Sequence, residues 1–201
     1  GDKPNTKMNM MMEYHVKPSG TIFLDVYIQK VASLPPLARV GLSMECSNRL
    51  QEVEWFGRGK HECYSDRKAS AFVDRYRSTV NELHVPYIFP SENGGRADVR
   101  WLTVRPIRDK THGIFVSAKS PSYFQMSISN YTLEDLTRAK HQDELTESKC
   151  VEVHLDHAHM GVGGDDSWSP SVHKDALIDD SGWKFGLVLT PIHSQSDASN
   201  L

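Results

Sequence analysis

Val151-Glu-Val-His-Leu-Asp-His-Ala-His159 passes directly into Met160-Gly-Val-Gly-Gly-Asp-Asp-Ser-Trp-Ser-Pro-Ser-Val-His173. In the first half Val151, Val153 and Leu155 alternate with polar residues, the period of a half-buried strand. In the second half Gly161, Gly163 and Gly164 can take backbone angles closed to other residues, and two carboxylates and an indole follow. A strand therefore runs into a chemically dense loop. Trp168 offers a flat apolar face of the kind that packs on the C–H side of a sugar ring, and Asp165 and Asp166 offer acceptors for its hydroxyls. The same residues also have a purely structural use, Trp168 as a core plug and the aspartates as caps on local amides.

Outward from this loop the chain reads as strand after strand. Thr21–Gln29 is rich in β-branched and aromatic residues, Leu34-Pro-Pro36 breaks the run, and Ala38–Cys46 resumes as a strand of alternating character. Pro86 and Pro90 flank a short strand at His84–Pro90, and Asn93-Gly-Gly95 is expected to turn it into Ala97–Val104 as a hairpin. Ile114–Ala118 and Phe124–Ser129 follow, and Trp183–Leu189 is expected to close the sheet. Thr132-Leu-Glu-Asp135 has the shape of a capping box, so one short helix is expected near Thr132–His141. The expectation is an all-β antiparallel sandwich with one short helix, an N-terminal arm over residues 1–17, the sandwich over residues 18–193, and a polar tail over residues 194–201.

A second dense segment, Gly57-Arg-Gly-Lys-His-Glu-Cys-Tyr-Ser-Asp-Arg-Lys68, carries Arg58, His61, Glu62, Tyr64, Asp66 and Arg67. Either it rims a ligand, or it is a loop fixed by its own ion pairs; the second is preferred. Composition narrows the classes. A net charge of −3 without a basic cluster argues against nucleic acid. No run approaches the roughly 20 apolar residues of a membrane-spanning helix. Cys46, Cys63 and Cys150 are odd in number and lack Cys-x-x-Cys spacing, so they make no zinc site alone, and the compartment stays open. No cofactor is called for. Asn130-Tyr-Thr132 matches the glycosylation acceptor pattern, which has meaning only for a secreted chain.

Four motifs in order carry a resemblance: Gly-Arg-Gly-x-His-Glu-x-Tyr-x-Asp-Arg, Pro-Tyr-Ile-x-Pro-x-Glu-Asn-Gly, Asp-Val-Arg-Trp, and His-Met-Gly-Val-Gly-Gly-Asp-Asp-Ser-Trp-Ser-Pro-Ser-Val. Over roughly Pro18 to Pro191 the chain resembles the C-terminal domain, or separate small chain, of the β-galactosidases of glycoside hydrolase family two. The resemblance implies an antiparallel supersandwich of the galactose-mutarotase-like kind. It also implies that the catalytic glutamates lie elsewhere, in a barrel domain, since a retaining glycosidase needs two carboxylates about 5–5.5 Å apart. By the same resemblance Trp168 is the residue lent to the active site, Asp165 and Asp166 shape its loop, and the segments around Glu62 and around Glu92-Asn93-Gly94 are architectural. Lys60 and Ser65 stand where the family usually carries prolines, which loosens that loop. The family domain begins several strands earlier, so a partner chain, a second copy or the Met-rich arm is expected to cover an exposed edge.

Two functions follow. The first is a galactoside-binding, lectin-like protein without catalysis, contacting sugar through Trp168, Asp165, Asp166 and His159, with self-association for avidity. The alternative is a small chain that completes the active site of a large β-galactosidase chain. A metal reading is weaker: His157 and His159 share one strand face and His154 and Asp156 the other, so only one pair can converge on an ion. Glu62 with Glu92 as an independent catalytic pair is weaker still, because nothing in the sequence brings them together.

Overall fold

The computed structural model describes residues 7–119, 123–163 and 172–193. Eleven strands form two antiparallel sheets. In chain order they are β1 (Met8–Val16), β2 (Ile22–Lys30), β3 (Arg39–Ser47), β4 (Glu52–Gly59), β5 (Phe72–Thr79), β6 (Arg96–Val99), β7 (Trp101–Arg105), β8 (Gly113–Ala118), β9 (Phe124–Ser129), β10 (Cys150–His159) and β11 (Gly182–Ile192). The larger sheet runs β1-β2-β11-β8-β7-β4-β5, and the smaller runs β3-β10-β9-β6. Val53, Trp55, Leu102, Val104 and Val116 of the first meet Val99, Met126, Ile128, Val151, Val153 and Leu155 of the second in one continuous core. Period-two alternation puts these side chains on facing surfaces, which makes the architecture the expected all-β sandwich.

The Met-rich arm is not loose. Met8–Val16 pairs along its length with Ile22–Lys30, making β1 an edge strand. Trp183–Leu189 does not close the sheet: β11 lies inside it, bonded to β2 on one side and β8 on the other. The run Ala97–Val104 is two strands in different sheets, β6 and β7. The switch falls at Arg100, between Val99 and Trp101; just before it Asp98 has φ 52°, and its carboxylate accepts from Arg58 Nε at 2.5 Å and from Lys68 Nζ at 3.1 Å. The crossing requires close approach, because a Cβ on Gly57 would stand 2.8 Å from Val99 Cα.

The expected hairpin at His84–Pro90 is absent. Prolines remove ladder donors there, and the irregular segment is held instead by the Val85 amide on Asn93 Oδ1 at 3.1 Å. The helix at Thr132 is shorter than expected: α2 covers Leu133–Arg138, capped by Thr132, which accepts from the Asp135 amide. A second, unforeseen helix, α1 at Val80–Leu83, carries the complete capping box, Thr79 and Glu82 each satisfying the other's amide. Asn130 is buried and bonded to Gln51 and Asn81, so it offers no accessible glycan acceptor in the folded chain. Among the described residues no helix is long and apolar enough to cross a membrane.

Candidate functional site

Three segments far apart in sequence meet at the C-terminal end of β10: the 60–68 loop after β4, the irregular 84–95 segment, and residues 159–163. No β-ladder joins them; the Cys63 amide donates to the Gly95 carbonyl at 2.9 Å, and side chains make the other bonds. Asp66 Oδ2 accepts from the Gly163 amide at 2.7 Å, and Ser65 Oγ donates to the His159 carbonyl at 3.2 Å. Gly161 has no room for a side chain, since its Cβ would lie 2.5 Å from Asp66 Oδ2 and 2.8 Å from Ala176 Cβ. The beginning of the glycine-rich loop is therefore clamped by the dense segment, Asp66 and Ser65 each supplying one bond. Gly164, Asp165, Asp166 and Trp168 lie outside the described residues.

Beneath the clamp is a charged, half-buried network. The Tyr64 hydroxyl donates to Glu92 Oε1 at 3.1 Å and accepts from the Gly95 amide at 3.1 Å. Arg39 bridges two acids, with Nη2 2.7 Å from Asp156 Oδ2 and Nη1 3.7 Å from Glu92 Oε2. His159 Nδ1 lies 2.7 Å from the Met160 carbonyl, which can only accept, so Nδ1 carries the proton. Its Nε2 stands 3.7 Å from Glu92 Oε1, and its ring lies 5.3 Å from that of Tyr64. Burial alone would depress the His159 pKa, but Glu92 and the Met160 carbonyl favour the imidazolium and carry it above its ordinary value. Burial pushes Glu92 the other way from its neighbours, and His159, Arg39 and Tyr64 prevail, holding the carboxyl below its ordinary value. Asp156 differs: burial raises its pKa despite Arg39.

Glu62 is occupied as well. It accepts from the Gly94 amide at 2.8 Å and from Arg67 and the Tyr87 hydroxyl in short contacts. Asn93 closes the 84–95 segment onto Val85. Glu62 and Glu92 thus do share one neighbourhood around Tyr64, contrary to the sequence expectation. Each is engaged by donors, as scaffold carboxylates are, and neither stands as a free acid or base.

The alternation assumed for the histidines also fails. Asp156 pairs with Gly41 and Ala158 with Val40, so β10 holds one extra residue, a β-bulge at His157. His157 stacks flat on Phe185, centroids 5.1 Å apart, while His159 joins Glu92 and Arg39. The two histidines therefore have different direct partners, although both line one cavity. Among the described residues no group of three or more His, Cys, Asp or Glu could hold a metal ion. Arg39 and Tyr87 are site residues that sequence reading misses, and Asp156 enters it only through the weak metal reading. Asp156 falls on a polar position of the alternating strand, so neither its burial nor its partner Arg39, 117 positions away, is readable in the sequence.

Between the two ends of the loop, Gly163 and His173, opens a polar cleft of about 640 Å³, walled by Ser65, Asp66, Arg67 and Asp175. A neighbouring cavity of about 400 Å³ has His157, His159, Lys68, Asp98 and Tyr123 among its walls. Both volumes fall within the range of small-molecule sites.

A family model described as the β-galactosidase small chain matches residues 2–189. The chain is 40% identical to a β-galactosidase of Pseudoalteromonas haloplanktis over 178 residues, 88% of this chain and 16% of that protein. It is 43% identical to one of Vibrio cholerae over 176 residues, again 88% of this chain and 16% of the relative. With the enzyme of Photobacterium profundum the figures are 35% over 183 residues, 90% and 17%. The chain spans about 16% of the length of the curated relatives it matches.

Proposed function

The chain belongs to the β-galactosidase small-chain family, and from that premise we propose that it is the non-catalytic sugar-contacting part of a β-galactosidase. In this reading it presents the 160–173 loop, with Trp168 against the galactosyl ring and Asp165 and Asp166 shaping the turn, to a substrate held on a catalytic chain. The observation that carries it is the clamp: Asp66 on the Gly163 amide at 2.7 Å and Ser65 on the His159 carbonyl at 3.2 Å. A loop whose root is fixed in this way presents its tip with less ordering entropy left to lose on binding. Glu62 and Glu92 are both taken up by donors, which agrees with bond cleavage being performed elsewhere.

A second reading is a free-standing, lectin-like galactoside binder. The cleft of about 640 Å³ favours it, because Ser65, Asp66, Arg67 and Asp175 line it with the polar groups that a sugar's hydroxyls need. Calorimetric titration of the isolated chain with galactose, lactose and glucose, repeated on Trp168→Ala, separates the two. Saturable galactoside binding without the large chain, lost in the variant, supports the lectin-like reading. Absence of binding, together with hydrolysis of a chromogenic galactoside only when a large chain is added, supports the enzyme-part reading.

A further inference from the structure

The structure leaves one rigid apolar projection without a use. Between Pro86 and Pro90, Ile88 is 91% exposed, Phe89 61% and Tyr87 36%. Ile88 and Phe89, two large apolar side chains in succession displayed to water, each forgo up to about 1.5–3 kcal/mol relative to burial, and Tyr87 beside them anchors the turn. Looseness does not account for them. The Tyr87 amide donates to the Val85 carbonyl at 2.8 Å, the Tyr87 carbonyl accepts from Gln142 Nε2 at 2.5 Å, and the Tyr87 hydroxyl is gripped by Glu62 and Arg67. Gln142 is itself held by His84 Nε2 at 3.1 Å. Aromatic and aliphatic anchors on a fixed backbone are what an interface centre requires, because their conformational entropy is already spent.

We propose that the Tyr87-Ile88-Phe89 projection is the contact by which this domain docks onto the catalytic remainder of a β-galactosidase. The proposal rests on the preceding reading of the chain as part of such an enzyme and adds the surface that joins the two. Two observations select this occupant. The relatives are about six times the length of the matched segment, which covers 16% of them, so in an enzyme of that kind a much larger body is available to pack on this domain. The projection also shares its anchor with the candidate site: Arg67 holds the Tyr87 hydroxyl, and the adjacent Asp66 holds the Gly163 amide. A body seated on Ile88 and Phe89 is thereby brought to the side of the molecule where the glycine-rich loop emerges.

The test uses the whole chain and the Pseudoalteromonas haloplanktis β-galactosidase from which the matching segment has been deleted, with association measured by biolayer interferometry. Ile88→Asp with Phe89→Ser, two exposed sites that leave circular dichroism unchanged, should weaken association by at least about a hundredfold. Ile88→Ala alone should weaken it less, and Phe72→Ser, a 75% exposed control on β5, should leave it unchanged. Wild-type association that survives the double variant within about threefold overturns the docking surface and leaves the enzyme-part reading standing. Equal weakening by Phe72→Ser overturns it too, as does a wild-type homodimer, seen by light scattering, that the double variant dissolves. Failure of the wild type to associate at all falls first on the enzyme-part reading and takes this proposal with it.

Discussion

Glu92→Gln isolates the charge at the centre of the candidate site. Glutamine keeps an oxygen for the Tyr64 hydroxyl, 3.1 Å from Glu92 Oε1, so only the attraction to Arg39 and His159, each at 3.7 Å, is lost. At that separation each pair is worth about 4 kcal/mol at an effective dielectric constant of about 20. The carboxylate side chain is 29% exposed, and its desolvation opposes most of this, leaving a net loss of about 2 kcal/mol. Urea unfolding should show a lower midpoint with an unchanged slope, and the melting temperature should fall by about 4–8 °C. The loss depends on pH with a definite sign. Glu92 is lowered, so its contribution is present above the ordinary carboxyl value of 4.5 and disappears as pH falls through the folded value. His159 is raised, so its contribution is present below the ordinary imidazole value of 6.5 and disappears as pH rises through the folded value. The difference between wild type and variant should therefore peak between 4.5 and 6.5, and the His159 ring resonance should titrate at lower pH in the variant. A stability difference that is flat with pH, or an unmoved His159 midpoint, would refute the network.

Other outcomes follow from single contacts. Gly41→Ala would set a Cβ 2.5 Å from the Asp156 backbone and 2.6 Å from the Leu155 carbonyl, and should destabilise by at least about 2–3 kcal/mol in a urea melt. Thr79→Ala removes the cap of α1 and should lower stability by about 1 kcal/mol, with Thr79→Ser restoring most of it. Cys63 is fully buried and burial pushes its thiol pKa up, so a thiol reagent at neutral pH should label it only after denaturation, a difference mass spectrometry of the labelled peptides would reveal.

The sandwich was legible because its strands keep period-two alternation, and Val151, Val153 and Leu155 all reach the core as the pattern implied. What escaped were features defined by a partner strand. The bulge at His157 exists only relative to Gly41 and Val40, and no single run of residues reveals an extra position in a ladder. The interior place of β11 likewise depends on β2 and β8, from opposite halves of the chain. Asn93-Gly-Gly95 carried a hairpin signal that Pro86 and Pro90 overrode, and the Asn93 side chain instead pins an irregular segment. At the site, the density of polar residues at 60–68 pointed to a scaffold loop, and that density is what clamps Gly163. The joining of Glu92 to His159 and Arg39 was unreadable, since attraction between charges leaves no periodic trace along a sequence.

The central claim is that this domain supplies a sugar-facing loop to a catalytic chain. Its most direct measurement is hydrolysis of a chromogenic β-galactoside by the Pseudoalteromonas haloplanktis enzyme lacking its matching segment, with this chain added in excess. Activity that appears only when both are present, and is lost with Trp168→Ala while association persists, is the predicted result. A complex that forms and hydrolyses equally well with Trp168→Ala would contradict it.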